Sequence, residues 1–124
     1  MQAHHTQALR GYFEANRTIM ALRPEIPATI INTFLGVAMW GHEDDKKEPI
    51  TIKELSEQVG LPYATVSRHL RYLGDYERIG VEGMGLVRTD VYLMNRRQKV
   101  VSLTREGRAL KDRLEYALGA RKGQ

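Results

Sequence analysis

Gly60-Leu61-Pro62 separates two short amphipathic stretches, and this break constrains the fold more than any other feature of the chain. On its N-terminal side Ile52, Leu55 and Val59 fall at i, i+3 and i+7, the stripe of a helix with one buried face. Thr51 stands three residues before Glu54, the pattern of a capping box that satisfies two orphan backbone donors. Gly60 suits the end of that helix, because glycine tolerates a left-handed conformation. Pro62 suits the first turn of the next helix, where a missing N–H costs nothing. Val66, Leu70 and Leu73 then repeat at i, i+4 and i+7. Two short helices joined by a tight turn containing glycine make a helix-turn-helix. Its second helix, Pro62 to Leu73, turns Tyr63, Thr65, Ser67, Arg68, Arg71 and Tyr72 toward solvent in varying degree. His69, beside Leu70, reads as a packing or surface residue.

The rest of the chain arranges itself around this unit. Leu9, Tyr12, Phe13, Ile19 and Met20 give a first helix over Ala8 to Met20 with one buried face, after a frayed end carrying His4 and His5. Arg23 to Pro27 breaks the chain, since proline disfavours helix at the residue before it. Ala28 to Trp40 is apolar nearly all round and belongs at the centre of a domain. Gly41 to Pro49 is charged; His42 beside Asp44 and Asp45 reads as a solvated turn, not a metal cluster.

Beyond the helix-turn-helix, Gly74 to Gly85 is expected to be an extended connection with little helix. Leu86 to Met94 alternates, with Val87, Thr89, Val91 and Leu93 on the buried face of a strand. Asn95-Arg96-Arg97-Gln98 is a polar, doubly basic tip, and Lys99 to Thr104 returns as a second strand, completing a wing. Thr104 suits the N-cap of a final helix striped by Leu110, Leu114 and Leu118. The expected fold is mainly α with a small β-hairpin wing. It is a single winged helix-turn-helix domain over 1–124, with a central lobe over 28–103 flanked by helices in 1–23 and 104–121.

Composition narrows the chemistry. The 19 Lys and Arg outnumber 15 Asp and Glu, a net charge of +4 that suits a polyanionic partner but makes distribution matter more than the total. The absence of cysteine excludes disulfides and thiolate metal sites. With neither a signal pattern nor an apolar run of membrane-spanning length, a soluble cytoplasmic chain with no membrane partner is expected. There is no nucleophile paired with a base, no metal-ligand spacing and no phosphate-cradling glycine loop. An enzyme is therefore not expected, and neither a cofactor nor a metal is called for.

Two stretches carry a family resemblance. "ELSEQVGLPYATVSRHLRYL" looks like the helix-turn-helix of the MarR-type winged-helix transcription regulators, and "NRRQKVVSLTREGRAL" looks like their wing and the Leu-Thr-x-x-Gly start of the C-terminal helix. The resemblance covers Ile50 to Leu118. Arg97 stands six residues before Leu103, matching the arginine of the family's Asp-x-Arg wing motif, while Asn95 replaces the usual aspartate and cannot form its ionic brace. The connection from Leu73 to Leu86 is longer than the family's compact link.

The resemblance implies a sequence-specific DNA-binding regulator, a repressor more often than an activator, that acts as a homodimer on a pseudo-palindromic site with its recognition helix in the major groove. Its partners would be double-stranded DNA and a second copy of itself, with 28–103 as the DNA-binding lobe and the helices in 1–23 and 104–121 for dimerisation. Pro62 starts the helix whose unpaired N–H groups would face phosphate. Tyr63, Thr65, Ser67 and Arg68 would approach base edges, Arg68 as a bidentate partner of guanine. Arg71 and Tyr72 would touch the backbone. At the wing, Arg97 would enter a minor groove, with Asn95 beside it and Arg96 and Lys99 on flanking phosphates. Arg71 and Lys99 could equally be solvated charges. Leu9, Tyr12, Phe13, Leu110, Leu114 and Leu118 are candidates for a homodimer interface; they could equally complete the chain's own core. No residue set announces a small-molecule effector. The rival reading is a winged-helix protein-interaction module without specific DNA binding, against which Arg68, Arg71 and Arg97 argue.

Overall fold

The computed structural model describes residues 2–41, 49–78 and 80–119. The expected charged loop with His42, Asp44 and Asp45 lies outside them. The order of elements begins with helices α1 (Gln2–Leu22) and α2 (Ala28–Trp40), then strand β1 (Ile50–Thr51) and helices α3 (Ile52–Val59) and α4 (Tyr63–Leu73). A hairpin of β2 (Tyr76–Arg78) and β3 (Val81–Glu82) follows, then strands β4 (Val87–Val91) and β5 (Lys99–Leu103) and helix α5 (Arg105–Ala117). The chain divides into two compact units. One covers 27–108; the other consists of α1 and α5 from Ala109 onward.

In the larger unit, α2 packs on α3, α4 and β5. Ile30, Phe34 and Val37 of α2, Ile52 and Leu55 of α3, Val66, Leu70 and Leu73 of α4, and Val101 and Leu103 of β5 are buried. The central position expected for α2 follows from its apolar surface, although Met39 and Trp40 at its end are exposed. The capping box is formed: Glu54 N donates to Thr51 Oγ1 at 3.1 Å and Thr51 N donates to Glu54 Oε1 at 2.9 Å. Gly60 ends α3 with φ 74°, the left-handed region. Pro62 is the extended residue before α4, so the helix begins one residue later than its sequence suggests.

The sheet runs β1-β5-β4, all antiparallel. Ile50 pairs with Val101 and Thr51 with Val100; on the other side Val87 pairs with Leu103 and Val91 with Lys99. Strand β1 was not expected, because two residues leading into a helix cap carry no alternation to read. Strand β4 ends at Val91, short of Met94, and only Val87 in it is buried. It is an edge strand, so its alternation marks extended backbone without a covered face.

The connection 74–85 holds the β2–β3 hairpin where a plain extended link was expected; Tyr76 pairs with Glu82 and Arg78 with Val81. The hairpin returns the chain to the end of α4. Met84 N donates to Tyr72 O at 3.0 Å, Leu86 N to Leu73 O at 2.8 Å and Gly85 N to Gly74 O at 2.9 Å. The last carbonyls of a helix lack intrahelical donors, and this return supplies them. Thr104 then ties in the start of α5. Its N–H donates to Leu86 O at 3.0 Å; its hydroxyl donates to Gly85 O at 2.6 Å and accepts from Gly107 N at 3.0 Å. A Cβ on Gly107 would lie 2.0 Å from Leu86 O, so the backbones can meet only at glycine.

In the smaller unit, Ala15 and Ile19 of α1 and Leu110 and Leu114 of α5 are buried. This corrects the sequence reading at several positions. Leu9, Tyr12, Phe13 and Met20 of α1 are exposed, because the small residues Gly11 and Ala15 form the buried line with Ile19. Leu110 and Leu114 belong to the chain's own core and leave the set of interface candidates, while Leu118 stays exposed. The helix begins at Gln2, so the segment with His4 and His5 is helical backbone and not the loose end expected.

Replacing Gly107 with alanine should destabilise the fold by about 1–3 kcal/mol or more, because the added methyl forces two backbones apart. Gly60→Asn should cost less, since nothing lies within 4 Å of a Cβ there and asparagine tolerates the left-handed region. Urea unfolding of both variants measures the difference.

Candidate nucleic-acid interface

Helix α4 turns by about 100° per residue, so its buried line of Val66, His69, Leu70 and Leu73 fixes the direction of every other side chain. Opposite that line lie Ala64, Arg68 and Arg71. Tyr63 and Ser67 flank them on one side, Thr65 and Tyr72 on the other. Arg68 and Arg71 are exposed, and alanine at 64 leaves open space beside them.

On the Tyr63 side the helix and the base of the wing enclose a cleft of about 230 Å³. Tyr63, Ser67 and Arg71 form one wall; Arg88 and Thr89 of β4 and Lys99 of β5 form the other. Leu70 and Val87, both buried, also line it. Three cations from three elements therefore share one concavity with a single carboxylate, Asp75, in its lining. Arg88 was missed as a site residue. Its outward phase on the strand was readable, but nothing in the sequence indicates that β4 lies alongside α4. Its Nε sits 3.2 Å from Asp90 Oδ2, two residues along the same strand face. This exposed pair leaves the guanidinium in solvent and contributes little stability.

The structure brings Tyr63, Ser67, Arg71 and Lys99 together and places Thr65, Arg68 and Tyr72 elsewhere on α4. Asn95, Arg96 and Arg97 stand apart at the exposed wing tip. There Asn95 Oδ1 accepts a hydrogen bond from Arg97 N at 3.2 Å. The amide thus braces the wing through backbone, where an aspartate would offer an ionic contact to the arginine head.

His69 is buried, as a packing residue would be, and its Nδ1 lies 2.9 Å from Thr33 Oγ1 of α2. The same hydroxyl donates to Thr29 O at 3.2 Å. This contact joins the exposed-arginine helix to the centre of the unit. Burial holds the imidazole pKa below its usual value, and the adjacent Arg68 charge lowers it further.

A helix-turn-helix set against a three-stranded sheet, two of whose strands form a hairpin after it, is a winged helix, and comparison with solved structures agrees. The chain superposes on a candidate DNA-binding protein of Ralstonia eutropha JMP134 with a TM-score of 0.55 and 24% identity, over 73% of this chain and 98% of that one. It superposes on apo MarR from E. coli with a TM-score of 0.60 and 18% identity, over 99% and 78% of the two chains. A single-substitution variant of MepR from S. aureus, bound to an oligodeoxyribonucleotide, gives a TM-score of 0.62 at 16% identity over 98% and 78%. The chain has the winged-helix fold of these proteins. No family model matches the sequence, and no curated protein sequence does.

The lowered His69 pKa makes stability depend on pH. Above the ordinary value of 6.5 both folded and unfolded imidazoles are neutral and the group contributes no slope. Below it the unfolded chain takes the proton first, so stability should fall with falling pH and level off once the folded form also protonates. In His69→Gln, chemical unfolding at a series of pH values should show this contribution to the slope removed.

Proposed function

We propose that this chain is a sequence-specific double-stranded DNA-binding transcription regulator, acting as a repressor and as a homodimer on a pseudo-palindromic site. The observation that carries the reading is the cleft in which Arg71, Arg88 and Lys99 converge beside the outward Arg68. A concavity walled by a helix and two strands and lined by cations matches the ridge of a nucleic-acid backbone. Phosphate contacts of this kind position a protein without specifying sequence. With α4 in the major groove, Arg68 is the side chain that reaches guanine, and Tyr63, Thr65 and Ser67 fill in around it. A MepR variant of similar fold bound to an oligodeoxyribonucleotide supports DNA as the partner.

The homodimer reading rests on α1. Leu9, Tyr12, Phe13 and Met20 are large apolar side chains left exposed by the chain's own packing, joined by Leu118 of the C-terminal segment. Pairing about a two-fold axis would cover them and set two recognition helices about one helical turn, ~34 Å, apart.

Binding titrations against a selected duplex and a random one, at several salt concentrations, separate these roles. Arg68→Ala should lose about 1–3 kcal/mol on the selected duplex only. Arg71→Gln and Arg88→Gln should weaken both duplexes alike and each reduce the log–log salt slope by about 0.9. Equal loss on both duplexes for Arg68→Ala would contradict its role as a base reader. Sedimentation of a Tyr12→Asp, Phe13→Asp variant should give a monomer where the unaltered chain gives a dimer.

A further inference from the structure

The wing tip contains two features that phosphate contact alone does not use. Leu93 and Met94 are 77% and 82% exposed, the highest among the large apolar side chains described. The loop that holds them is well built. Tyr92 N donates to Gln98 O at 2.9 Å and closes its base. Above that, Asn95 N donates to Tyr92 O at 3.1 Å and Gln98 N to Asn95 O at 2.9 Å, giving two consecutive turns that share Asn95. Leu93 and Met94 are the central pair of the first turn, Arg96 and Arg97 the central pair of the second. All four of these central residues are exposed. The tip thus presents two apolar side chains and, one residue further on, two cations, on a frame fixed by backbone hydrogen bonds and by the Asn95 side chain between them. No acidic residue occurs from Val91 to Lys99.

We propose that this tip is an apolar wedge for duplex DNA: Leu93 and Met94 enter the minor groove and unstack a base step, while Arg96 and Arg97 hold the phosphates on either side. The proposal rests on the DNA-binding reading above and adds a deformation of the DNA to it. Two side chains are too small a patch for a stable protein interface, which needs about 800 Å² from each partner. They are sufficient to open a single base step, as Leu and Met do in architectural proteins. A hairpin tip also suits a groove about 6 Å wide. Opening a step is easiest at flexible pyrimidine–purine steps, so the wedge would also select sequence at positions that no side chain reads directly.

The test uses the full chain and a duplex recovered by selection from a random library. The duplex carries the adenine analogue 2-aminopurine at successive positions and a donor–acceptor dye pair at its ends. Saturating protein should raise the analogue's fluorescence at one step per wing and shorten the end-to-end distance as for a bend of about 20–90°. Leu93→Ser with Met94→Ser should bind about tenfold more weakly and, at saturation, show neither change. Leu93→Met with Met94→Leu should retain both. A saturated duplex that stays stacked and straight, or a double-serine variant that still opens it, would overturn the wedge and leave DNA binding standing. Failure to bind any duplex at low ionic strength overturns both readings. Vesicles of anionic phospholipid form the third arm: binding that depends on Leu93 and Met94, with no unstacking of DNA, would assign the tip to a membrane surface and overturn the wedge.

Discussion

The peptide at Gly85 and Leu86 holds the candidate face in register. Leu86 N–H closes the end of α4, and Leu86 O receives the backbone of Thr104 at the start of α5. Gly85 O takes the Thr104 hydroxyl. Gly107 packs its bare Cα against the same Leu86 carbonyl. One short segment thus ties α4, the first residues of β4 and the first turn of α5 together through a few hydrogen bonds, each worth about 1 kcal/mol net. The cleft between α4 and the wing exists because this joint sets the distance between its walls. It also gives a physical meaning to Leu-Thr-x-x-Gly. Leu103 is buried, Thr104 uses its hydroxyl as donor and acceptor at once, and glycine is the residue that fits beneath a carbonyl.

Local chemistry was the legible portion of the fold. The Thr51–Glu54 box, the left-handed Gly60, the cap at Thr104 and the apolar periods of α2, α3 and α4 depend on neighbours within a few residues, so they could be read from the string. The strand alternation of 86–94 located β4 but mislocated its burial, because period alone does not say whether a sheet edge is covered. On α1 the large apolar residues could cover either the chain's own core or a second copy; Ile19 is buried, but Gly11 and Ala15 supply the rest of that line, and helix periodicity does not reveal which of two stripes faces inward. The β2–β3 hairpin escaped notice because its glycines mark turns without marking which residues pair.

The candidate site was legible residue by residue on α4 and at the wing, but not as an arrangement. Arg88 gains its place only from the approach of β4 to α4. Arg68 and Arg71 differ little in outward direction, so the division between base reader and phosphate holder rests on their position along the helix. A net charge of +4 would be a weak argument by itself. Three cations gathered in one concavity, with Arg68 just outside it, make a local field that the total does not reveal.

Thr33 has a single hydroxyl hydrogen and two acceptors within reach, Thr29 O and His69 Nδ1. When it serves the carbonyl, the imidazole must carry its own hydrogen on Nδ1 to complete the pair; when it serves the imidazole, that hydrogen moves to Nε2. The ring tautomer is thereby locked to the rotation of one threonine on the neighbouring helix. Imidazole nitrogen resonances would therefore report, from inside the protein, how α2 and α4 are seated against each other.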